Sequence, residues 1–224
     1  MIRRRSHPDS SITTTRTEAY TDAVFAIAAT LLVLDLTTRS FGELKTDADL
    51  ANALLGMWGP ILTFVVSFLI LSLMWMTHVS QFEQIARIDP PGIWINNIRL
   101  LFIVLVPFTS SLVTDYSELL LGRILLPINF FLAILAGWAQ WAWAMRNREE
   151  CLPGLSASEA RREGRGALSA VLISLAVVVA SPWIGSAAFL LFVFDGLLTR
   201  ALGGAPPTEA GGEGRADTAP DPRR

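Results

Sequence analysis

The stretch RTEAYTDAVFAIAATLLVLDL, residues 16–36, decides the fold of this chain. Its central part, residues 23–34, is apolar except for Thr30, and the acidic residues Asp22 and Asp35 stand at its two ends. Because the segment is rich in alanine and leucine, it favours a helix over a strand. We therefore expect a helix from about residue 17 to residue 36.

Three large apolar side chains form a stripe on one side of this helix. At 100° per residue, Ile27, Leu31 and Leu34 lie within about 60° of one another on the circumference, and Thr30 borders them. Such a stripe has two interpretations. It contacts lipid or the protein core, as in an ordinary membrane helix, or it has a specific role that the neighbouring residues reveal.

The composition indicates a polytopic, all-α membrane protein. Of the 224 residues, 52% are hydrophobic and 17% are charged, and the apolar residues occur in long blocks. The single cysteine, Cys151, excludes an intrachain disulfide and a cysteine-rich metal site. The first 15 residues are polar and rich in arginine, so we expect no cleavable signal peptide. No motif of an enzyme is present, so we expect no enzymatic activity, no cofactor or metal and no nucleic-acid partner.

The apolar blocks predict six membrane helices. Their approximate ranges are 17–36, 53–78, 93–114, 119–145, 167–180 and 183–198. Pro107 predicts a kink in the third helix, and Ser181-Pro182 predicts the break between the fifth and the sixth. The chain is expected to divide into a cytoplasmic tail (1–15), a six-helix membrane domain (16–200) and a disordered tail rich in glycine, proline and alanine (201–224).

The distribution of lysine and arginine predicts the orientation in the membrane. The N-terminal tail and the alternate loops that follow it carry ten of these residues, whereas the loops on the other side carry three. Because positively charged residues favour the cytoplasmic side, both termini are expected in the cytoplasm. The predicted location is the cell membrane, with six crossings.

A polar motif precedes the stripe. Arg16 is followed after three residues by Tyr20-Thr21-Asp22, and then by the apolar helix that contains Thr30. This arrangement resembles the first helix of the transmembrane protein 175 family, the endosomal and lysosomal potassium channels and their six-helix bacterial relatives. The family motif reads Arg-x-x-x-Phe-Ser-Asp, and here an aromatic and a hydroxyl residue of the same types replace Phe-Ser.

The resemblance implies a homotetrameric potassium channel in a lipid bilayer, with helix 1 of each subunit lining a central pore. It places Ile27, Leu31 and Leu34 at the positions that narrow the pore, and Thr30 at a hydroxyl layer. A loop of the Thr-Val-Gly-Tyr-Gly type, whose carbonyl groups select potassium in other channels, is missing from the sequence. Selectivity is therefore expected to come from a narrow apolar constriction.

The resemblance extends to a His at the end of helix 2, His78, and to a Trp-x-x-Asn pattern, Trp94 to Asn97, early in helix 3. Because a short loop joins these helices, their polar groups and Arg99 should lie at the depth of Asp22 and brace helix 1. The expected brace comprises Arg16, Tyr20, Thr21, Asp22, His78, Trp94 and Asn97. An intramembrane charge is costly unless it is paired, so we expect Asp22 to be hydrogen-bonded, whereas Arg16 can instead extend to the interface. His78 has two alternative roles, as a proton sensor or a metal ligand.

Two other functions remain open from the sequence. A secondary or proton-coupled transporter would have inverted repeats, broken helices and a charge at the midplane of the membrane. Pro107 supplies a break, but no midplane carboxylate accompanies it. A membrane scaffold that transports nothing would need no polar motif on helix 1.

Overall fold

Residues 14–37 and 44–203 are described by a computed structural model, and all regular structure within them is helical. The all-α fold class is therefore confirmed. The predicted tails 1–15 and 201–224 lie almost wholly outside the described residues, as do residues 38–43 of the first linker.

The chain forms ten α-helices and one 3₁₀ segment within these ranges. In order they are α1 (Thr14–Leu31), α2 (Leu34–Thr37), α3 (Asp47–Gly56), α4 (Trp58–Gln84), α5 (Pro90–Val104), α6 (Val106–Asp115), α7 (Leu120–Arg146), α8 (Arg148–Cys151), α9 (Ala157–Ile184), the 3₁₀ segment (Gly185–Phe194) and α10 (Asp195–Ala201).

Five segments of the described chain are long and apolar enough to cross a membrane, by length and composition. They are Thr14–Thr37, Trp58–Gln84, Pro90–Asp115, Leu120–Arg146 and Ala157–Ala201. The first four correspond to the first four predicted helices. The fifth has 45 residues, which is about twice the length that one crossing requires.

Several predicted boundaries were wrong. The second span extends to Gln84, so His78 lies more than one turn inside α4 and not at its end. Part of the predicted first linker forms α3, because Thr46 and Asp49 build a reciprocal capping box that starts a helix at Asp47. The third span is interrupted at Leu105, two residues before Pro107, as expected for a proline in a membrane helix.

The fifth segment reverses direction at Gly185. This glycine has a φ of 56°, a conformation that L side chains rarely adopt. Beyond it, Asp195 and Thr199 return to the side of α9: the hydroxyl of Ser169 donates to a carboxylate oxygen of Asp195 at 2.6 Å and contacts the hydroxyl of Thr199. The predicted hairpin between the last two helices is thus present, but its turn is at Gly185.

Pro182 fails to end α9 because a neighbouring side chain compensates for it. A proline has no N–H, so the carbonyl of Val178, four residues earlier, loses its usual donor. The hydroxyl of Ser181 donates to that carbonyl at 3.0 Å. The Ser-Pro pair that predicts a break therefore lies inside the helix, which also begins ten residues earlier than predicted, at Ala157.

α7 lies at the centre of the bundle. It packs against α5 and α6 on one side and against α9 on the other, whereas α1 packs against α4, α5 and α6. The main apolar core lies between these helices and includes Ile103, Phe130 and Ala133, each at most 1% exposed. Helix α1, which carries the predicted stripe, therefore contacts α4, α5 and α6. The C-terminal hairpin packs on α7 instead.

A second apolar cluster closes one end of the bundle. The loops at residues 85–89 and 147–152 pack together there, and the amide of Ala86 donates to the carbonyl of Cys151 at 2.9 Å. The hydroxyl of Thr14 donates to the carbonyl of Ala86 at 3.1 Å, which joins the start of α1 to the same end. Cys151 is buried, and desolvation together with the nearby carboxylates of Asp89 and Glu150 raises the pKa of its thiol.

The reversal at Gly185 is testable with a pair of glycine variants. Gly185→Ala should lower the midpoint of thermal unfolding in detergent, because a Cβ at such a φ costs about 1–3 kcal/mol. Gly196→Ala, in α10, is the control and should not lower the midpoint. An added Cβ meets no heavy atom within 4 Å at either position, so crowding cannot explain a difference. Equal midpoints for the two variants would contradict the assigned turn.

Candidate functional site: a braced helix with an apolar face

The two faces of α1 differ in burial. Thr17, Thr21, Phe25 and Ala28 are buried against the neighbouring helices. The predicted stripe lies on the opposite face: Ile27 is 59% exposed, Leu31 40% and Leu34 51%, and Thr30 is exposed beside them. A turn at residues 32–33 separates α1 from α2, so Leu34 belongs to α2. The four predicted constriction residues therefore share one accessible, mainly apolar surface.

The hydroxyl of Thr30 is oriented by its own helix. It donates to the carbonyl of Ile27 at 2.8 Å. With its proton committed to the backbone, the oxygen keeps its lone pairs for a donor or a cation outside the helix. Thr30 is thus the one described polar group among the predicted constriction residues.

Asp22 is tied to α4 by an indole group. The Nε1–H of Trp75 donates to a carboxylate oxygen of Asp22 at 2.9 Å. Sequence reasoning expected a hydrogen bond at Asp22 but did not identify Trp75. The available signal was a tryptophan within an otherwise apolar span, since an indole N–H usually requires an acceptor.

A buried hydrogen bond joins α1 to α5. The side-chain amide of Asn96 donates to the hydroxyl of Thr21 at 2.8 Å, and that hydroxyl donates to the carbonyl of Thr17 at 2.8 Å. Thr21 and Asn96 are both 0% exposed. The Trp-x-x-Asn pattern had placed Asn97 in the brace, but Asn97 lies about 100° further around α5 and is half-buried, and Trp94 is 68% exposed.

Arg99 is the centre of a polar cluster that sequence reasoning only partly identified. Its side chain is 2% exposed, and one guanidinium nitrogen donates to the carbonyl of Met74 at 2.9 Å. A second nitrogen lies 3.5 Å from the amide oxygen of Gln81. The guanidinium carbon is 5.9 Å from the centre of the Phe25 ring, within the range of a cation–π interaction.

Arg99 has no carboxylate partner within 4.0 Å in the described part of the chain, unlike Arg123, which pairs with Glu118. A buried unpaired charge is costly, so the carbonyl, the amide and the aromatic ring must replace the missing acid. Room for the guanidinium comes from Gly137 of α7, where an added Cβ would approach the guanidinium carbon to 3.2 Å.

His78 is held by aromatic packing. It is 0% exposed, and its ring centroid lies 6.0 Å from that of Phe25 and 4.2 Å from that of Phe82. Neither ring nitrogen has a hydrogen-bond partner in the described chain. No three His, Cys, Asp or Glu side chains cluster within these residues, so the alternative role as a metal ligand gains no structural support.

The remaining residues of the expected brace are elsewhere. Arg16 and Tyr20 are exposed, on the same side of α1 as Ile27, and Tyr20 is 57% exposed. Gln81 and Gln140, which the sequence did not single out, are buried beside Arg99 and in α7 respectively. The structure therefore brings together Thr21, Asp22 and His78 from the expected set, and adds Trp75, Gln81 and Asn96.

These features define a helical multi-span membrane protein in which buried polar groups fix one face of α1 and leave an apolar face accessible. Residues 16–107 match the family described as "Endosomal/lysosomal potassium channel TMEM175". The matched range contains nearly all of α1, the residues of α4 and α5 that bind it, Trp75 and Asn96, and the break before Pro107. The predicted family resemblance is therefore confirmed, and the matched family is an ion channel rather than an enzyme.

The chain is similar to a potassium channel of Chamaesiphon minutus, with 37% identity over 103 residues, which are 46% of this chain and 50% of the relative. It is also similar to the endosomal/lysosomal proton channel TMEM175 of Bos taurus, with 32% identity over 147 residues, which are 61% of this chain and 30% of the relative. The aligned parts thus span about half of the first relative's length and under a third of the second's.

The similarity in fold to a solved structure extends over more of the chain than these sequence alignments do. The crystal structure of a lysosomal potassium-selective channel TMEM175 homolog from Chamaesiphon minutus superposes with a TM-score of 0.60 and 26% sequence identity. The superposition covers 83% of this chain and 97% of that chain. The helical arrangement of this protein is therefore that of a solved TMEM175 homologue.

The bond between Thr21 and Asn96 can be measured with a double-mutant cycle. Thr21→Val and Asn96→Leu should each lower the unfolding midpoint, and the double variant should lose less than the sum of the two. We expect a coupling free energy of about 0.6–1.7 kcal/mol, as found for hydrogen bonds between membrane helices. Asn97→Leu is the control for Asn96→Leu, and a larger loss with Asn97→Leu would contradict the assignment of the bond to Asn96.

Proposed function

We propose that this chain is the subunit of a potassium-conducting channel whose pore is lined by α1. One observation carries the proposal. α1 has its polar contacts with neighbouring helices on one face, through Thr21 and Asp22, and an accessible stripe on the other, at Ile27, Leu31 and, beyond the turn, Leu34. A pore helix needs this division, because it must be held firmly while its inner face remains free.

The pore requires several copies of the chain. Each subunit offers a single stripe on α1, and one helix cannot enclose an aqueous path. The family resemblance implies four copies, and four α1 helices around an axis would bring four Ile27 side chains together. The proposed assembly is therefore a homotetramer.

The constriction acts as both a barrier and a sieve. A hydrated cation that reaches the ring of Ile27 side chains must lose water without gaining polar contacts, and an apolar ring of this kind also favours a dry, non-conducting state. The Thr30 oxygens, which keep their lone pairs available, lie about one turn away and offer ligands to the cation there. Potassium loses its hydration shell more readily than sodium, so a ring of this type favours potassium.

The proposed orientation places both termini in the cytoplasm. The hydrogen bonds among Thr14, Ala86 and Cys151 bring the start of α1 and the loops 85–89 and 147–152 to one end of the bundle. This end carries most of the loop lysine and arginine residues, as expected for a cytoplasmic side. The 3₁₀ segment and α10 have ten and seven residues and together rise roughly 30 Å, so they are long enough for a sixth crossing.

A secondary or proton-coupled transporter is the alternative function. The interruption between α5 and α6 supplies a broken helix, which such transporters use. However, no Asp or Glu of the described chain is fully buried, and the carboxylates of Asp22 and Asp195 accept hydrogen bonds from Trp75 and Ser169, which gives them structural roles. The channel is therefore the better-supported function.

The constriction is testable by recording currents in planar bilayers under a potassium/sodium gradient. Ile27→Asn should increase the cation current and shift the reversal potential toward that of an unselective pore, because a polar ring stays wet. Leu31→Ala should increase the current less, because the Ile27 ring remains.

Val179→Asn is the matched control for this experiment. Val179 is 59% exposed, as is Ile27, but it lies on α9, away from α1. Phe25 is unsuitable as a control, because it is 3% exposed and packs on His78 and Arg99. A change in selectivity with Val179→Asn and none with Ile27→Asn would place the pore on another helix.

The orientation is testable with cysteines introduced in a Cys151→Ala background. The native thiol is a poor reporter, because it is buried and its raised pKa leaves little reactive thiolate at neutral pH. A cysteine at the exposed Gly154 should react with an impermeant maleimide only after lysis. A cysteine at Glu118, in the turn at the opposite end, should react in intact cells. The reverse pattern would overturn the topology.

A further inference from the structure

A cavity of about 500 Å³ lies between α7 and α9, outside the site described above. One wall is apolar and is formed by Trp138, Trp141, Ala142 and Met145 of α7. Gly164 of α9 lines the other side, where an added Cβ would approach Trp141 and Met145 to 3.2 and 3.3 Å. This glycine keeps the two helices close at the base of the cavity.

Three arginines form the rim of this cavity. They are Arg146, in the last turn of α7, and Arg161 and Arg165, one turn apart on α9. All three are exposed, and none forms an ion pair within the described residues, where the ion pair found is that of Arg123. The lining contains no acidic side chain. The rim therefore carries a local excess of positive charge that the described fold does not neutralise.

The end of α7 beside the cavity has the residue composition of a membrane boundary. Tryptophans concentrate at this boundary in membrane proteins, and the last turns of α7 contain Trp138, Trp141 and Trp143. The indole N–H of Trp141 donates to the carbonyl of Ala160 at 3.1 Å, which fixes this wall against the start of α9. An occupant would thus meet an apolar wall toward the bilayer centre and arginines toward the water.

We propose that this cavity binds the phosphate group of an anionic phospholipid. The arginine rim suits the phosphate, since guanidinium groups bind phosphate oxygens in a planar, two-point geometry. The indole, thioether and methyl groups suit the first carbons of the acyl chains. Basic pockets between membrane helices bind anionic headgroups in this way. A zwitterionic lipid fits less well, because no acidic side chain of the lining receives its ammonium group.

The test uses native mass spectrometry of the purified full-length protein in detergent. Dioleoyl phosphatidylglycerol and dioleoyl phosphatidylcholine, which differ only in the headgroup, are added at equal concentrations. We expect at least fivefold more bound phosphatidylglycerol than phosphatidylcholine. The double variant Arg161→Gln/Arg165→Gln should reduce this preference to less than twofold. Arg148→Gln/Arg162→Gln removes the same charge from outside the cavity and should keep the preference.

A second variant tests the apolar wall without changing the charge. Ala142→Leu should fill part of the cavity and lower phosphatidylglycerol binding at least threefold, while its unfolding midpoint without added lipid shows whether the fold is retained. If the arginine variants do not purify, unchanged phosphatidylglycerol binding by folded Ala142→Leu would still contradict the proposed lipid site. Inorganic phosphate at millimolar concentration should neither displace the lipid nor raise the midpoint as phosphatidylglycerol does.

Three results would overturn the proposal. The first is equal binding of the two lipids by the unmodified protein. The second is an equal loss of preference in the two double variants, which would indicate general attraction to positive charge. The third is stabilisation by inorganic phosphate that matches stabilisation by phosphatidylglycerol, which would indicate a site for free phosphate rather than for a lipid.

Discussion

A buried guanidinium group without a carboxylate partner constrains the arrangement of this protein. Arg99 extends from α5, donates to the backbone of α4 at Met74 and lies near the Phe25 ring of α1. It fits because α7 has a glycine, Gly137, at the point of contact. The relative heights of α1, α4, α5 and α7 are therefore fixed. A shift of any one of these helices would remove a group that stabilises the buried charge in place of a carboxylate. The polar contacts of α1 with α4 and α5 depend on this register.

The division of α1 into two faces follows from the same constraint. The contacts of Thr21, Asp22 and Phe25 occupy one side of the helix, whereas the stripe on the opposite side keeps about half of its side-chain surface exposed, from 40% at Leu31 to 59% at Ile27. In water such an apolar face would be unfavourable, but a bilayer or a second copy of the chain accepts it at no cost. The hydrogen bonds of Thr21 and Asp22 behind this face therefore carry the proposed pore-lining role of α1.

The sequence predicted those features of the structure that depend on the helical repeat or on the lengths of the apolar segments. The helical class, the first four spans and the face shared by Ile27 and Leu34 all follow from apolar blocks and a 100° rotation per residue. Asn96 could not be chosen over Asn97, because the two amides are adjacent and only packing selects one. The sequence predicted a turn at Pro182 instead of Gly185. The Ser181 hydroxyl donates to the backbone carbonyl that Pro182 cannot reach, so α9 continues past the proline, and helix propensities do not include such a hydrogen bond.

The 3₁₀ conformation of residues 185–194 gives the last segment an adjustable length. A 3₁₀ helix rises about 0.5 Å more per residue than an α-helix, so a change to α conformation would shorten these ten residues by about 5 Å. The segment joins α9 at Gly185, and the contact of Asp195 and Thr199 with Ser169 holds its other end, so a change in length would require α10 to shift along α9. A hairpin that exchanged 3₁₀ for α hydrogen bonds in this way would change its own length without tilting the helices that surround α1, which is one means of matching a bilayer of different thickness.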